Sequence, residues 1–131
     1  MNKQIHHARP ALEQAFAFAQ AVRVGNMLYI SGALSWDENG EPVAVGDMEG
    51  QVRNVYADLE KVLKAHGATF SNVVKETVYT VDMDALVAAA HIRAEFLKGH
   101  SPFAATWVQV ARLVKPEFLL EVEMIAALPG A

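Results

Sequence analysis

The 131-residue chain contains no cysteine, and this absence removes several kinds of chemistry. Disulfide bonds, thiolate zinc sites and a cysteine nucleophile are all excluded. The chain also lacks an excess of basic residues, because 11 Lys and Arg stand against 15 Asp and Glu, for a net charge of −4. A protein that grips the phosphate backbone needs a basic surface, so nucleic-acid binding is disfavoured.

Long hydrophobic runs are missing too, although 53% of the residues are apolar. A membrane-spanning helix needs roughly 18 or more consecutive apolar residues, and no run approaches that length. Residues 11–22 loosely resemble a secretory hydrophobic segment, but Glu13 and Gln14 interrupt it. We therefore expect a soluble, cytoplasmic protein that forms one domain over residues 1–131, since no linker divides the chain.

Hydrophobic periodicity predicts five strands and two helices. The turn dipeptide Gly25-Asn26 predicts a β-hairpin over residues 22–30. Apolar residues at helical spacing predict helices over 47–66 and 84–98. Alternating patterns predict strands over 73–81, 104–113 and 118–128. The order β-β-α-β-α-β-β predicts an α+β sandwich with both helices on one face of a sheet.

Neither face of the last predicted strand is typical of a solvent-exposed surface. Leu120, Val122 and Met124 share one face, while Glu121 and Glu123 lie on the other. Because the helices can cover only one face, the second face, semi-apolar with isolated polar groups, is typical of a subunit interface. The pattern therefore predicts a homo-oligomer.

Glu121 and Glu123 are candidates for acid–base chemistry. If their face is buried between subunits, desolvation would raise a carboxyl pKa and suit that group to general acid–base catalysis. The alternative is that both are solvated or ion-paired surface residues. Strand spacing alone leaves both interpretations open.

Other motifs with chemical meaning are weak or missing. The five histidines form no zinc-ligand motif with the acids, so neither a metal nor another cofactor is expected. The glycines match no phosphate-binding pattern, and the serines lack a hydrolase elbow. Trp36 and Trp107 could stack on a ligand, although such rings more often pack in cores or interfaces.

Five short motifs resemble, in order and spacing, the RidA/YjgF family. They are Gly25-Asn26, Ile30-Ser31-Gly32, Asp82-Met83, Val110-Ala111-Arg112-Leu113 and Glu121-Val122-Glu123-Met124-Ile125-Ala126. The resemblance covers residues 16–127. It implies a chorismate-mutase-like fold with one mixed sheet, a homotrimer, and small-molecule clefts between adjacent subunits. Archetypal members hydrolyse reactive enamines and imines to keto acids and ammonia, and other members carry an endoribonuclease label.

The resemblance also assigns roles to individual residues. Glu121 matches the family glutamate that orients water and exchanges protons with the imine. Ser31 and Gly32 match the strand end that lines the pocket, whereas Phe18 replaces a tyrosine and Ala105 replaces the arginine that grips the substrate carboxylate. The implied substrate-binding residues are Phe18, Ser31, Gly32, Ala105, Thr106 and Trp107. An alanine cannot make the two-pronged contact of arginine, so the resemblance implies altered specificity.

Two functions from different classes fit these residues. The leading hypothesis is a hydrolytic deaminase of a small imine or enamine, in which Trp107 narrows the cleft and favours a planar or less anionic ligand. The alternative is a trimeric ligand-binding or regulatory protein that has lost catalysis along with the arginine and the tyrosine. A ribonuclease ranks third, because the chain has no basic groove.

Overall fold

A six-stranded mixed sheet organises the computed structural model, which describes residues 2–130. The strands are Lys3–His6 (β1), Ala21–Val24 (β2), Met27–Ala33 (β3), Val73–Thr80 (β4), Ala104–Gln109 (β5) and Leu120–Ala127 (β6). Their order across the sheet is β1-β2-β3-β6-β4-β5. All neighbours run antiparallel except β4 and β5, which are parallel. The last strand of the chain is therefore central in the sheet.

Four helices accompany the sheet in the described part of the chain. They are Pro10–Ala15 (α1), Met48–Ala65 (α2), Met83–Ala88 (α3) and Ala90–Leu97 (α4). Asp47 is the N-cap of helix α2, and its side chain accepts a hydrogen bond from Gly50 N at 3.0 Å. Its buried stripe includes Val52, Val55 and Leu59, and these residues pack against the sheet. The predicted α+β class and mixed sheet are confirmed.

The structure differs from the predicted elements in three places. Strand β1 and helix α1 were not predicted, since β1 is a short edge strand whose partner β2 lies 15 or more residues away. The second predicted helix is broken at Ala89, which ends α3 and begins α4 without a glycine or proline to mark it. Strand β5 ends at Gln109 instead of residue 113 because its one partner, β4, ends opposite at Thr80.

Strand β6 separates the core from the opposite face of the sheet. Leu120, Val122 and Met124 are at most 1% exposed and lie beneath the helices, on what we call the covered face. Glu121 and Glu123 alternate with them and are half-buried on the other side, which we call the open face. The two-residue period of the strand thus places both carboxylates away from the core.

A buried ion pair lies between the covered face and helix α4. Glu76 of β4 is fully buried; its carboxylate accepts a hydrogen bond of 2.5 Å from the Tyr56 hydroxyl and one of 2.6 Å from Arg93 Nη2. The Arg93 guanidinium also lies 5.3 Å from the centre of the Trp107 ring. Burial, followed by the nearby carboxylate, raises the pKa of Tyr56 well above its usual value, so the hydroxyl remains a donor.

Replacing Arg93 by methionine should leave the buried Glu76 carboxylate without its cation. Loss of one partner from a buried pair destabilises a protein by about 3–5 kcal/mol. We expect R93M to lower the free energy of unfolding by about that amount, measured by urea denaturation at one protein concentration. The control is E95Q, at an exposed position of the same helix, which should change it by less than about 0.5 kcal/mol. A similarly small effect in R93M would contradict this account of Glu76.

Candidate functional site

A pocket of about 430 Å³ opens where the ends of β3 and β6 meet helix α1 and two loops. It is lined by Leu12, Phe16, Phe18, Ser31, Gly32, Leu34, Trp36, Asn39, Gly40, Glu41, Val114, Lys115, Phe118 and Glu121. Four of the residues predicted from sequence meet here: Phe18, Ser31, Gly32 and Glu121. The volume suits a small metabolite, and the walls are largely apolar with a few polar groups.

The Glu121 side chain packs directly against the backbone of Gly32. A Cβ atom added to Gly32 would lie 2.6 Å from Cδ and 2.7 Å from Cγ of Glu121, closer than real Cβ contacts allow. The ladder between β3 and β6 is irregular here, because Ile30 pairs with Met124 but Ala33 pairs with Val122. This bulge adds one residue to β3 and redirects its backbone toward the carboxylate.

The segment just before β2 holds the bulged strand from the other side. Ser31 N donates to Gln20 O at 2.8 Å, and Ser31 Oγ donates to Ala19 O at 2.6 Å. The hydroxyl of Ser31 is thereby committed to the backbone. We infer that Ser31 shapes the pocket wall and leaves the chemistry to the carboxylate beside it.

Glu121 and Glu123 have different electrostatic environments. Tyr79 donates a hydrogen bond of 2.7 Å to Glu123 Oε1, and this bond raises the pKa of Tyr79. Within residues 2–130, no hydrogen bond to the Glu121 carboxylate is present. Burial, with a smaller contribution from the charge of Glu123, raises the pKa of Glu121. Glu121 can therefore exchange protons with a ligand, while Glu123 is held by a tyrosine.

Helix α1 forms one wall of the pocket and is held by a buried carboxylate. Glu13 is 1% exposed and accepts hydrogen bonds from Arg9 N at 2.5 Å, Gln20 N at 2.9 Å and Ala8 N at 3.1 Å. Its other contact is His7 Nδ1 at 2.8 Å. Burial by itself would raise the pKa of Glu13, but these hydrogen bonds together lower it. The sequence shows Glu13 as an interruption of an apolar run, with no sign of this role.

The three remaining predicted residues lie elsewhere in the chain. Ala105, Thr106 and Trp107 are on β5, two strands away from β6 at the far edge of the sheet. Trp107 stacks near Arg93 on the covered face, and Thr106 accepts a hydrogen bond of 2.7 Å from Lys75 Nζ. None of them reaches the pocket of its own chain. Their assignment as ligand contacts remains a prediction that requires a second copy of the protein.

The pocket also contains residues that sequence reasoning did not assign to it. Leu12 comes from the unpredicted helix α1 and Phe16 directly follows it, while Glu41 and Lys115 belong to loops outside the predicted strands and helices. Trp36 was considered as a stacking ring and does line the pocket. No periodic pattern could have found the others, because loops far apart in sequence converge here.

Within residues 2–130, no cluster of three or more His, Asp or Glu side chains could hold a metal ion. No helix in the same range is long and apolar enough to cross a membrane.

The fold and the pocket define an α+β protein with an apolar pocket of about 430 Å³ that contains a half-buried carboxylate with a raised pKa. The chain belongs to the Endoribonuclease L-PSP family, because the sequence model of that family matches residues 8–128. This confirms the resemblance to the RidA/YjgF family that the five sequence motifs indicated.

Relatives of known name extend the comparison. The chain is 33% identical over 110 residues to 2-iminobutanoate/2-iminopropanoate deaminase of Rattus norvegicus, covering 84% of this chain and 79% of that one. It is 32% identical over 109 residues to 3-aminoacrylate deaminase RutC of Acinetobacter baylyi, covering 83% and 85%. The crystal structure of YyfA, a Rid-family protein of unknown function from Yersinia pestis, superimposes with a TM-score of 0.86. It shares 28% identity and covers 97% of this chain and 100% of that one.

The raised pKa of Glu121 gives a pH-dependent prediction. The folded state favours the protonated carboxyl, so stability from this group is fully present below its unfolded pKa and is lost as pH rises through the folded pKa. The variant E121Q removes that loss. We expect E121Q to be more stable than the parent at about pH 7, with a smaller difference at about pH 4. Denaturant unfolding of both proteins at the two pH values measures this, and an equal difference at both would contradict it.

Proposed function

We propose that this protein is a hydrolytic deaminase of a small imine or enamine, with Glu121 as the residue that moves the protons. The observation that carries the proposal is a carboxylate with a raised pKa, packed on Gly32 and facing a small, mostly apolar pocket. The names of the rat and Acinetobacter relatives support the reaction class. An acid–base group whose pKa is shifted toward the working pH is suited to proton transfer.

The reaction consumes one water and releases ammonia. An enamine first takes a proton on carbon from the protonated Glu121, which gives the iminium ion. The Glu121 carboxylate then removes a proton from water as the water oxygen bonds to the iminium carbon. Glu121 returns that proton to the nitrogen, and the C–N bond breaks as the hydroxyl proton passes to the Glu121 carboxylate. A carbonyl compound and ammonia leave, and Glu121 is protonated again. One carboxylate can serve as acid and base in turn because no other residue of the described chain binds its oxygens.

Two departures from archetypal members, at Phe18 and Ala105, support a different specificity. Phe18 offers a ring without a hydroxyl, and Ala105 offers no guanidinium. The same two changes are the basis of the alternative, a ligand-binding protein without turnover. Saturable binding of a metabolite, without release of ammonia from any imine, would favour that alternative.

Replacing Glu121 by glutamine tests the proposal directly. General acid–base groups contribute typically about 10²- to 10⁴-fold to rate, so we expect E121Q to lower kcat for an imine generated in situ by that factor. Ammonia release, followed by a coupled assay, is the measurement. The matched control is E123Q, on the same strand and face. It should retain turnover. The acid limb of its pH–rate profile should lie at lower pH, because the charge of Glu123 helps raise the pKa of Glu121.

A second variant separates the position of Glu121 from its presence. G32A keeps the carboxylate but places a methyl group 2.6 Å from Cδ and 2.7 Å from Cγ of Glu121, so the carboxyl group must move. Gly32 does not have a positive φ, so alanine is tolerated by the backbone and the fold should persist. We expect G32A to lose most activity as E121Q does. Full turnover in E121Q would show that Glu121 is not the proton-transfer group, whereas full turnover in G32A would show that its packing on Gly32 is not required.

We also propose that the protein is a cytoplasmic homotrimer whose pockets lie at subunit interfaces. The open face supports this, because Tyr29 is 46% exposed there beside half-buried Ile125, with apolar surface that no helix of the chain covers. In such an assembly Ala105, Thr106 and Trp107 of a neighbouring copy could reach the pocket. Sedimentation equilibrium at micromolar concentration should give three times the chain mass, and a monomer would exclude this assembly.

A further inference from the structure

Two charged side chains on the rim of the pocket have no part in the proton transfers above. Lys115 and Glu41, here called the rim pair, both line the cavity that holds Glu121. Lys115 Nζ lies 3.6 Å from Glu41 Oε2, and both side chains are partly exposed, at 41% and 67%. An ion pair of this exposure contributes little to stability. Because the pair lines the same cavity as Glu121, a role in ligand binding accounts for its position better than a role in stability.

One buried glutamine connects the two loops that carry the rim pair. Gln51 of α2 is fully buried, and its Nε2 donates to Glu117 O at 2.9 Å and to Ala44 O at 3.2 Å. Its Oε1 accepts a hydrogen bond from Leu119 N at 2.9 Å. Both loops are thus hydrogen-bonded to the same side chain. Ala44 lies three residues from Glu41, and Glu117 lies two residues from Lys115. The fold holds the rim pair in place through Gln51, which acts as a positioning residue.

Lys115 is the only cation among the residues of the described chain that line this pocket. Arg9 lies nearby, but its guanidinium is 7% exposed and is bound to Asp58 at 3.2 Å and to the carbonyl oxygens of Trp36 and Asp37. No such set of partners holds Lys115, whose one ion-pair partner is Glu41. A ligand anion that enters the pocket would therefore bind to Lys115.

We propose that Lys115 binds the carboxylate of a small 2-imino or 2-oxo acid in this pocket, supplying from the same chain the cation that Ala105 lacks. Without ligand, Glu41 is the ion-pair partner of the Lys115 ammonium group, and the ligand carboxylate replaces Glu41 there. The identity of the ligand rests on the proposed function of the pocket. The expectation of a less anionic ligand, drawn from Ala105 and Trp107, then gives way to an anionic ligand held by a different residue.

The exchange of arginine for lysine changes how the carboxylate is held. A guanidinium fixes both oxygens in one plane, whereas an ammonium group is a compact charge on a flexible stem. Lys115 would therefore tolerate several positions of the ligand relative to Glu121. This arrangement suits a set of short imino acids that differ in chain length, with Phe18 and Trp36 as the apolar walls.

The test uses 2-oxobutanoate, a stable keto acid, as the probe and compares the parent with four variants by calorimetric titration. Hydrogen bonds to charged groups are strong, so we expect K115M to weaken binding by about 10- to 100-fold. E41Q should bind more tightly than the parent, because Lys115 loses its competing carboxylate. The control K64M removes an exposed lysine of α2 outside the pocket and should bind like the parent. K115R, which keeps the charge, should retain binding.

The outcomes separate this inference from the proposed function. Unchanged affinity in K115M, or no binding of the probe by the parent protein, would overturn the role of Lys115 even if imines are hydrolysed. Loss of binding in K115M with retention in K115R supports that role. If the parent binds the keto acid through Lys115 but releases no ammonia from the corresponding imine, the inference stands and the deaminase proposal fails.

Discussion

The alternation of β6 is the constraint on which the rest of the structure depends. This strand is paired on both sides, with β3 and with β4, so its register positions these two strands, on which the outer strands are built. Even-numbered residues from Leu120 to Ala126 fill the core, and odd-numbered residues carry the carboxylates. A slip of one residue would bury Glu121 and Glu123 under the helices and expose the core residues. Core and candidate site are therefore specified by the same eight residues.

The bulge in β3 brings Gly32 against the side chain of Glu121 and so shapes the candidate site. Without the extra residue, the backbone opposite Glu121 would follow the regular ladder and present a side chain to its neighbour. Gly32 instead presents a bare Cα, and the carboxyl group occupies the space that a Cβ would take. The carboxylate is desolvated by this packing, and its pKa rises for that reason. The raised pKa of Glu121 is thus a consequence of strand geometry.

Three buried polar side chains hold the parts around that site together. Glu13 orders helix α1, Gln51 ties the two rim loops, and Glu76 joins the sheet to α4. Each is at most 1% exposed, and each is satisfied by several hydrogen bonds. A buried polar group without its partners is costly, so each loop or helix is held in the arrangement that satisfies it. The hydrogen bonds of Glu13 and Gln51 therefore support the pocket walls in addition to apolar packing.

The hairpin at Gly25-Asn26, the long helix α2 and the two faces of β6 were all predictable from sequence. Each depends on neighbours in the chain, whose spacing is visible as a period of two or 3.6 residues or as a short motif. The strand order was not visible, and it is what places Trp107 on the covered face beside Arg93 instead of beside Glu121. The rim pair was equally hidden. Glu41 and Lys115 meet only because Gln51 binds both of their loops, and contacts between distant segments leave no periodic trace in the sequence.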